Sequence, residues 1–212
     1  INKYGYPNNL SGCINDIDDV EAKLIKEFPD FQIVKFKDSQ VTIERFVSEI
    51  KNALLMLPEK SLLYIHFSGH GTQIPCDHLD GSNYYNEALY LFNGPVTDDV
   101  IYELQLMTPS YIKVVAKFDS CFSGDMGRHL NLNANFLKNR FYQLQGVPLK
   151  TVVEKTLTTE VPTQKWIIFS GAGEEQTSAD AVFLGRPNGA FTFYDNKSYK
   201  PGDSYELEIC KL

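Results

Sequence analysis

The amino-acid sequence predicts an α/β fold with a mostly parallel central sheet and helices on both of its faces. Strongly apolar runs alternate along the chain with amphipathic segments. The apolar runs lack an alternation of polar side chains, which is typical of strands buried on both faces. Strands that alternate with helices in this way form a parallel sheet covered by helices.

The individual elements follow from periodicity and from capping residues. A helix is predicted over 15–28, where Asn15 or Asp16 can cap it, and a second over 42–57 begins at a threonine cap. A third helix, over 98–107, lies between two strongly apolar runs. Strands are predicted at 31–36, 61–67, 111–118 and 165–171.

Composition and charge narrow the class of protein. The 212 residues suit one α/β domain, and 43% hydrophobic residues suffice for a sizeable core. A net charge of −7 argues against a nucleic-acid surface. It mildly favours a cationic substrate, although a solvated acidic surface is the commoner cause of such a charge.

The sequence gives no sign of export or of membrane insertion. No apolar run is long enough to span a membrane, and the first residues lack the regions of a signal peptide. They resemble the end of a strand that enters a loop, so we expect a strand to precede them. The four cysteines form no CxxC pair and predict neither a disulfide framework nor a zinc site. The expected location is the reducing cytoplasm.

Three predicted strands end in residues that can perform chemistry. They end in HFSGHG (66–71), FDSCFSG (118–124) and FSGAGEEQTSADA (169–181). Active sites of open α/β sheets lie beyond the carboxyl ends of the strands. We therefore expect a histidine, a cysteine and an acidic, hydroxyl-rich loop at one edge of the sheet.

His70 and Cys121 stand at two of these strand ends, as a base and its nucleophile would. A lone buried cysteine is usually structural, and a lone histidine near a strand end is usually only hydrogen-bonded. The pair favours nucleophilic catalysis, because a cysteine attacks as thiolate and needs a base beside it. Gly69 and Gly71 allow close approach of a substrate, and the N–H groups of Gly71 and Cys121 would form an oxyanion hole.

The motifs around these residues resemble a known family. SGHG (68–71) followed by DSCFSG (119–124) is similar to the paired motifs of the metacaspase and orthocaspase branch of the caspase-like cysteine peptidases. NNLSGCIND (8–16), SGAGEEQTSADA (170–181) and NGAFTF (188–193) extend the resemblance. It implies a caspase-like fold and an endopeptidase that acts on protein or peptide substrates, without nucleic acid or membrane.

The resemblance also implies roles for particular residues. His70 would be the general base and Cys121 the nucleophile that forms a thioester acyl-enzyme. Phe122 follows Cys121, where animal caspases, which cut after aspartate, have arginine. Metacaspases cut after Arg or Lys, and two carboxylates suit a guanidinium at P1, the residue before the cut bond. The residues that match the P1-binding (S1) pocket of that branch are Cys13, Asp16, Ser68 and Asp119.

The resemblance leaves calcium open. Asp98 and Asp99 match a pair of acids that contributes to calcium binding in many metacaspases, but they could equally cap the following helix. Asn86 stands where an aspartate is usual, and Arg128 stands where another is expected, with Asp125 nearby. We therefore predict no required cofactor and keep calcium as an alternative.

The resemblance divides the chain into three parts of one domain. Residues 1–125 match the large catalytic part, 165–212 a small-subunit-like part, and 126–164 a linker or insertion between them. An enzyme that cuts after basic residues could cleave itself in this linker, although an ordinary insertion explains its lysines equally well. The basic residues are Arg128, Lys138, Arg140, Lys150 and Lys155.

Two other functions remain open at this point. One is a catalytically silent caspase-like module that binds a regulatory partner or scaffolds a larger assembly. The other is a peptidase of the same fold with a different P1 preference. The tail, 194–212, departs from the family pattern and could be an edge strand, the start of another domain or the remnant of a longer chain.

Overall fold

A computed structural model of the chain describes residues 1–77, 83–121, 137–145, 166–171, 178–200 and 202. Its strands form two runs in the chain, which are separated by one helix and flanked by the others. In chain order the helices and strands are α1 (Cys13–Glu27), α2 (Ile43–Met56), β1 (Leu62–Ser68), β2 (His70–Asp77), β3 (Asn83–Leu91), β4 (Gly94–Thr97), α3 (Asp98–Met107), β5 (Lys113–Asp119), β6 (Leu137–Asn139), β7 (Trp166–Ser170), β8 (Ala179–Phe183), β9 (Arg186–Gly189) and α4 (Ala190–Ser198).

The central sheet consists of the three apolar runs that the sequence predicted as buried strands. Strands β1, β5 and β7 are parallel and lie side by side in that order. The register sets Ser68 of β1 beside Asp119 of β5, and Phe118 beside Ser170 of β7. The carboxyl ends of all three strands therefore meet at one edge, as expected for a site built from strand-end loops.

Helices cover both faces of this sheet. On one face α2 and α3 pack together, and their buried leucines and isoleucines join Phe67, Val114 and Phe118 in the main hydrophobic core. On the other face, α1 contacts α4 and β1, and α4 also contacts β5. Successive strand residues alternate between the two faces, so both must be covered. The predicted α/β fold is confirmed.

Two small antiparallel sheets flank the central one. Strands β2, β3 and β4 form the first, and β6, β8 and β9 form the second. The segment 137–142 connects them: β6 pairs with β8, and Phe141 makes a parallel bridge to Gly71 at the start of β2. This segment belongs to the predicted linker and lies at the carboxyl edge of the central sheet.

Some predicted boundaries were wrong. Helix α1 begins at Cys13, before the predicted start at residue 15. The residue that precedes it, Gly12, provides no side-chain cap. Residues 31–36 do not form a strand in the described structure. This segment is attached to α1 through the ion pairs of Lys35 and does not pair with a neighbouring strand among the described residues. Asn86, which stands where an aspartate is usual in the family, lies in β3.

Two other predictions concern segments that the structure describes only in part. The tail, predicted as an edge strand, another domain or a remnant, begins inside α4, and 203–212 lie outside the description. Of the predicted linker, 137–145 are described, so the division into three parts stays a prediction. Among the described residues, no helix has the length and apolar character needed to cross a membrane.

Candidate active site

His70 lies where β1 passes through Gly69 into β2, and its ring is almost fully buried. Its Nε2 is 2.7 Å from the carbonyl oxygen of Asn8, so this nitrogen carries the proton and donates it. None of the described residues hydrogen-bonds to its buried Nδ1. Burial lowers the pKa of His70 to about 4, so the ring is neutral near pH 7 and Nδ1 is able to accept a proton.

Cys121 follows the last residue of β5 by two positions and is fully buried. The backbone N–H of Ser178, just before β8, donates to its sulfur at 2.8 Å, and the sulfur lies 2.9 Å from the carbonyl oxygen of Ser178. Burial raises the pKa of the thiol to about 12. Cysteine and histidine are therefore both uncharged in this arrangement.

The guanidinium of Arg140 occupies the space between the strand ends, and its side chain is fully buried. Its Nη2 donates to Asp16 at 2.7 Å and to Asp180 at 3.0 Å. Its Nη1 donates to the hydroxyl of Ser68 at 2.6 Å and lies 3.2 Å from a carboxylate oxygen of Asp119. Three carboxylates thus surround one cation in a site closed to water.

The charges in this cluster hold one another in the ionised form. Burial opposes the charge on Asp16, but the guanidinium of Arg140 and the hydrogen bonds from Ser68, Arg140 and Gly189 outweigh it and lower the pKa of Asp16. Burial likewise opposes the charge on Arg140, but Asp119 and the other neighbouring groups raise its pKa. The cluster is therefore a cation site built from carboxylates.

The backbone of Arg140 contacts the residues predicted to carry out chemistry. Its carbonyl oxygen accepts hydrogen bonds from the N–H groups of Gly71 at 2.8 Å and Cys121 at 3.3 Å. Its own N–H donates to the carbonyl oxygen of Ser178 at 3.3 Å. Two N–H groups that converge on one carbonyl oxygen beside a thiol form the geometry of an oxyanion hole.

The structure brings most of the predicted site residues together. Asp16, Ser68 and Asp119 contact the side chain of Arg140, and Gly71 and Cys121 contact its carbonyl oxygen. Asp16 accepts side-chain and backbone donors in this cluster and does not cap α1.

Cys13 is fully buried one turn before Asp16, and burial raises the pKa of its thiol, while Arg140 acts to lower it. The predicted pocket residue is thus within the electrostatic reach of the guanidinium.

Asp180, Asn188 and Gly189 belong to the same cluster, and sequence reasoning assigned none of them a role. Asp180 also accepts the N–H groups of Ser11 and Gly12, which fixes its carboxylate. Asn188 and Gly189 donate to a carboxylate oxygen of Asp16. The motifs SADA and NGAF, already noted for their resemblance, were the signal that could have pointed to these residues.

The predicted calcium residues lie apart from this cluster, at the start of α3. Asp98 accepts the N–H of Asp99, and Asn86 donates its amide N–H to Asp99 at 2.7 Å. Within the described residues there is no group of three or more acidic, histidine or cysteine side chains arranged for a metal ion. Two carboxylates do not supply the six to eight oxygen ligands of calcium, and Asp125 and Arg128 lie outside the description.

A central parallel sheet with a cysteine and a histidine at adjacent strand ends defines a caspase-like cysteine-hydrolase fold. A crystal structure of a protein from Geobacter sulfurreducens is similar over 97% of this chain and 81% of its own, with a TM-score of 0.73 and 24% identity. The likeness at this identity concerns the fold.

The family follows from the sequence. The model of the metacaspase, peptidase C14 domain family matches residues 1–129, so the chain belongs to that family of cysteine peptidases. This confirms the resemblance drawn from the motifs.

Curated relatives include metacaspase-1B of Aspergillus clavatus, 26% identical over 97% of this chain and 62% of its own length. Metacaspase-5 of Trypanosoma cruzi is 26% identical over 85% and 42%, and metacaspase-1 of Lodderomyces elongisporus is 33% identical over 59% and 32%. The chain therefore spans less than two thirds of the length of each of these relatives.

Proposed function

We propose that this protein is a cysteine endopeptidase that hydrolyses peptide bonds after Arg or Lys. The contacts of Arg140 in the site are the observation that supports this proposal. Its side chain is paired with three carboxylates while its carbonyl oxygen accepts the N–H groups of Gly71 and Cys121. A P1 residue must meet both conditions at once, because specificity comes from its side chain and chemistry occurs at its carbonyl carbon.

The reaction begins with a proton transfer. The Asn8 carbonyl holds the proton of His70 on Nε2, which leaves Nδ1 to accept the proton of the Cys121 thiol. The thiolate then attacks the P1 carbonyl carbon, and the C=O electrons move to the oxygen, where the N–H groups of Gly71 and Cys121 stabilise the negative charge. Collapse of this intermediate breaks the C–N bond, and His70 gives its proton to the leaving amine.

The thioester on Cys121 is then hydrolysed. His70 takes a proton from a water molecule as that water attacks the thioester carbonyl, and the thiolate leaves and is reprotonated. The same two N–H groups stabilise the second tetrahedral intermediate. The products are a carboxylate after the basic residue, a free amine on the following segment and the regenerated thiol.

A carboxylate cluster explains the preference for a basic P1 residue. The acceptors on Asp16, Asp119 and Asp180, together with Ser68, match the several N–H donors of a guanidinium. A lysine ammonium satisfies fewer of them, so we expect cleavage after Arg to be faster than after Lys. An aspartate at P1 would add a fourth buried negative charge and is excluded.

The first substrate that we propose is the chain itself. Arg140 precedes Phe141 in the segment that pairs with β8, so the bond between them lies against Cys121. Lys138 instead extends to the surface, where its ammonium donates to the Asn9 carbonyl. The other basic linker residues, Arg128, Lys150 and Lys155, lie outside the described residues. We therefore expect the first cut after Arg140, and until then the segment occupies the site.

Incubation of the purified protein tests this proposal. Wild type should give two fragments, with a new N-terminus at Phe141, whereas Cys121→Ala should stay intact because it lacks the nucleophile. The processed protein should then cut fluorogenic peptides with P1 Arg and Lys rapidly, cut those with P1 Ala only slowly, and leave those with P1 Asp intact. The panel is run both with calcium and with a chelator, which tests the predicted independence of calcium.

Terminal sequencing and mass spectrometry of the fragments decide the outcome. A cut that also occurs in Cys121→Ala indicates a contaminating protease. An intact wild-type chain that leaves every peptide uncut would instead support the silent module, in which Arg140 is a permanent part of the fold. Equal cleavage after Arg and Ala would contradict the basic specificity.

A further inference from the structure

An aromatic cluster lies directly beyond the bond that follows Arg140. The ring of Tyr142, the second residue after that bond, stacks on the ring of Tyr90 with centroids 3.9 Å apart and planes 8° apart. The ring of Tyr4 lies 6.2 Å from Tyr90 and 6.3 Å from Tyr142. Tyr142 therefore rests on a surface formed by Tyr90 of β3 and by Tyr4.

Backbone contacts fix Tyr142 relative to the candidate scissile bond. Its N–H donates to the Gly71 carbonyl at 2.8 Å, and its own carbonyl oxygen accepts the Thr72 hydroxyl at 2.8 Å. Phe141 bridges to Gly71 in parallel. Any residue other than proline could make these backbone contacts, so the stacked ring is what a tyrosine adds at this position.

The aromatic surface is also connected to the candidate base. The Tyr4 hydroxyl accepts the backbone N–H of His70 at 2.9 Å and donates to the Tyr90 carbonyl at 3.1 Å. The rings of Tyr4 and His70 are 4.5 Å apart. The surface that meets Tyr142 is thus held in a fixed position relative to His70, as a binding subsite requires.

We propose that Tyr90, supported by Tyr4, forms a subsite that selects an aromatic side chain at P2′, the second residue after the cut bond. This inference rests on the proposed function, since it takes Arg140 as P1 and Tyr142 as P2′. Substrates would then be protein segments in which an aromatic residue follows a basic residue by two positions. Parallel stacking of the two tyrosine rings provides the selectivity.

Quenched fluorogenic peptides of the form Lys-Asn-Arg-Phe-Xaa-Gln test the subsite, with Xaa as Tyr, Leu or Ala. The processed wild-type protein should cut the Tyr peptide with a kcat/KM about 3- to 10-fold higher than the Leu and Ala peptides. In Tyr90→Leu this preference should disappear, because leucine keeps an apolar surface but cannot stack. Tyr102→Leu, which changes an exposed tyrosine on α3, is the matched control and should keep the preference for Tyr.

The outcomes separate this inference from the proposed function. Cleavage after Arg at equal rates in all three peptides overturns the subsite and leaves the basic specificity in place. A Tyr preference that survives in Tyr90→Leu also overturns it, because the selection would then come from another residue. If none of the peptides is cut after Arg, both the proposed function and the subsite are wrong.

Discussion

In the described part of the chain, two buried clusters of opposite charges differ in the elements that they connect. Between β5 and α4, the ammonium of Lys117 pairs with Asp195 at 2.8 Å, with both side chains about 4% exposed. At the edge of the sheet, one guanidinium, that of Arg140, meets three carboxylates from α1, β5 and β8.

The difference indicates different tasks. The ion pair between a strand and a helix that pack together stabilises the fold that brings them together. Three carboxylates around one cation retain a negative charge, which is costly to bury unless a cation is present. An excess of acid in a closed site is therefore what a site for an exchangeable cation needs, and Arg140 enters this site from the segment that pairs with β8.

Neutralising one acid in each cluster should give the largest contrast. Asp119→Asn should lower kcat/KM for P1 Arg peptides by about 100- to 1,000-fold relative to peptides with a neutral P1 residue, since a guanidinium would lose a buried partner. Asp195→Asn should leave that ratio unchanged. It should instead lower the free energy of unfolding by about 3–5 kcal/mol, because the buried ammonium of Lys117 loses its ion pair with Asp195.

Steady-state kinetics and urea unfolding of both variants provide the measurements. Asp180→Asn serves as a graded variant and should lose less than Asp119→Asn, because the guanidinium nitrogen that Asp180 contacts also pairs with Asp16. If Asp195→Asn altered the Arg preference as much as Asp119→Asn, the two clusters would not differ in task.

Removing the cation of each cluster in turn gives a somewhat smaller contrast, because only the loss of Arg140 should change the reactivity of Cys121. In a His70→Gln background, which prevents self-cleavage, Arg140→Gln should release the segment and expose the thiol. Its pKa should fall from about 12 toward the ordinary range, and alkylation at pH 8 should become on the order of 100-fold faster. Lys117→Met, which removes the cation between β5 and α4, should leave the alkylation slow.

The pH dependence of alkylation sharpens this test. A thiol with a raised pKa stays protonated until the pH approaches that value, so the rate in the closed form should keep rising through about pH 10. In Arg140→Gln the rate of alkylation should level off at about pH 9. Mass spectrometry of the Cys121 peptide, with buried Cys13 as internal reference, gives both rates. Equal rates in the two forms would show that the segment does not shield the thiol.

The smallest effect is expected from filling the pocket. A Cβ on Gly189 would meet Asp119 and would lie 2.5 Å from the guanidinium carbon of Arg140. Gly189→Ala should therefore lower cleavage after Arg about tenfold, through an overpacking cost of about 1–3 kcal/mol. Cleavage after Lys should fall less, because an ammonium has no guanidinium carbon at that position. An equal loss for both would indicate a general distortion of the site.

Local patterns in the sequence are sufficient to predict the α/β fold and the positions of the chemical residues. Apolar runs and amphipathic segments are such patterns, so the parallel strands and the helices α2 and α3 could be predicted from them. Because the carboxyl ends of parallel strands meet at one edge, the order of the strand-end motifs was enough to place His70 and Cys121 at the same edge of the sheet. The motifs around them were also enough to identify the family.

The identity of the basic residue in the site depends instead on tertiary contacts. Five basic residues in the linker were equivalent in sequence, and the pairing of β6 with β8 brings Arg140 to the carboxylates and Lys138 to the surface. Asp180 joins the cluster through the same pairing, between segments far apart in the chain. Such contacts depend on register and on the packing of sheets, which no local pattern encodes.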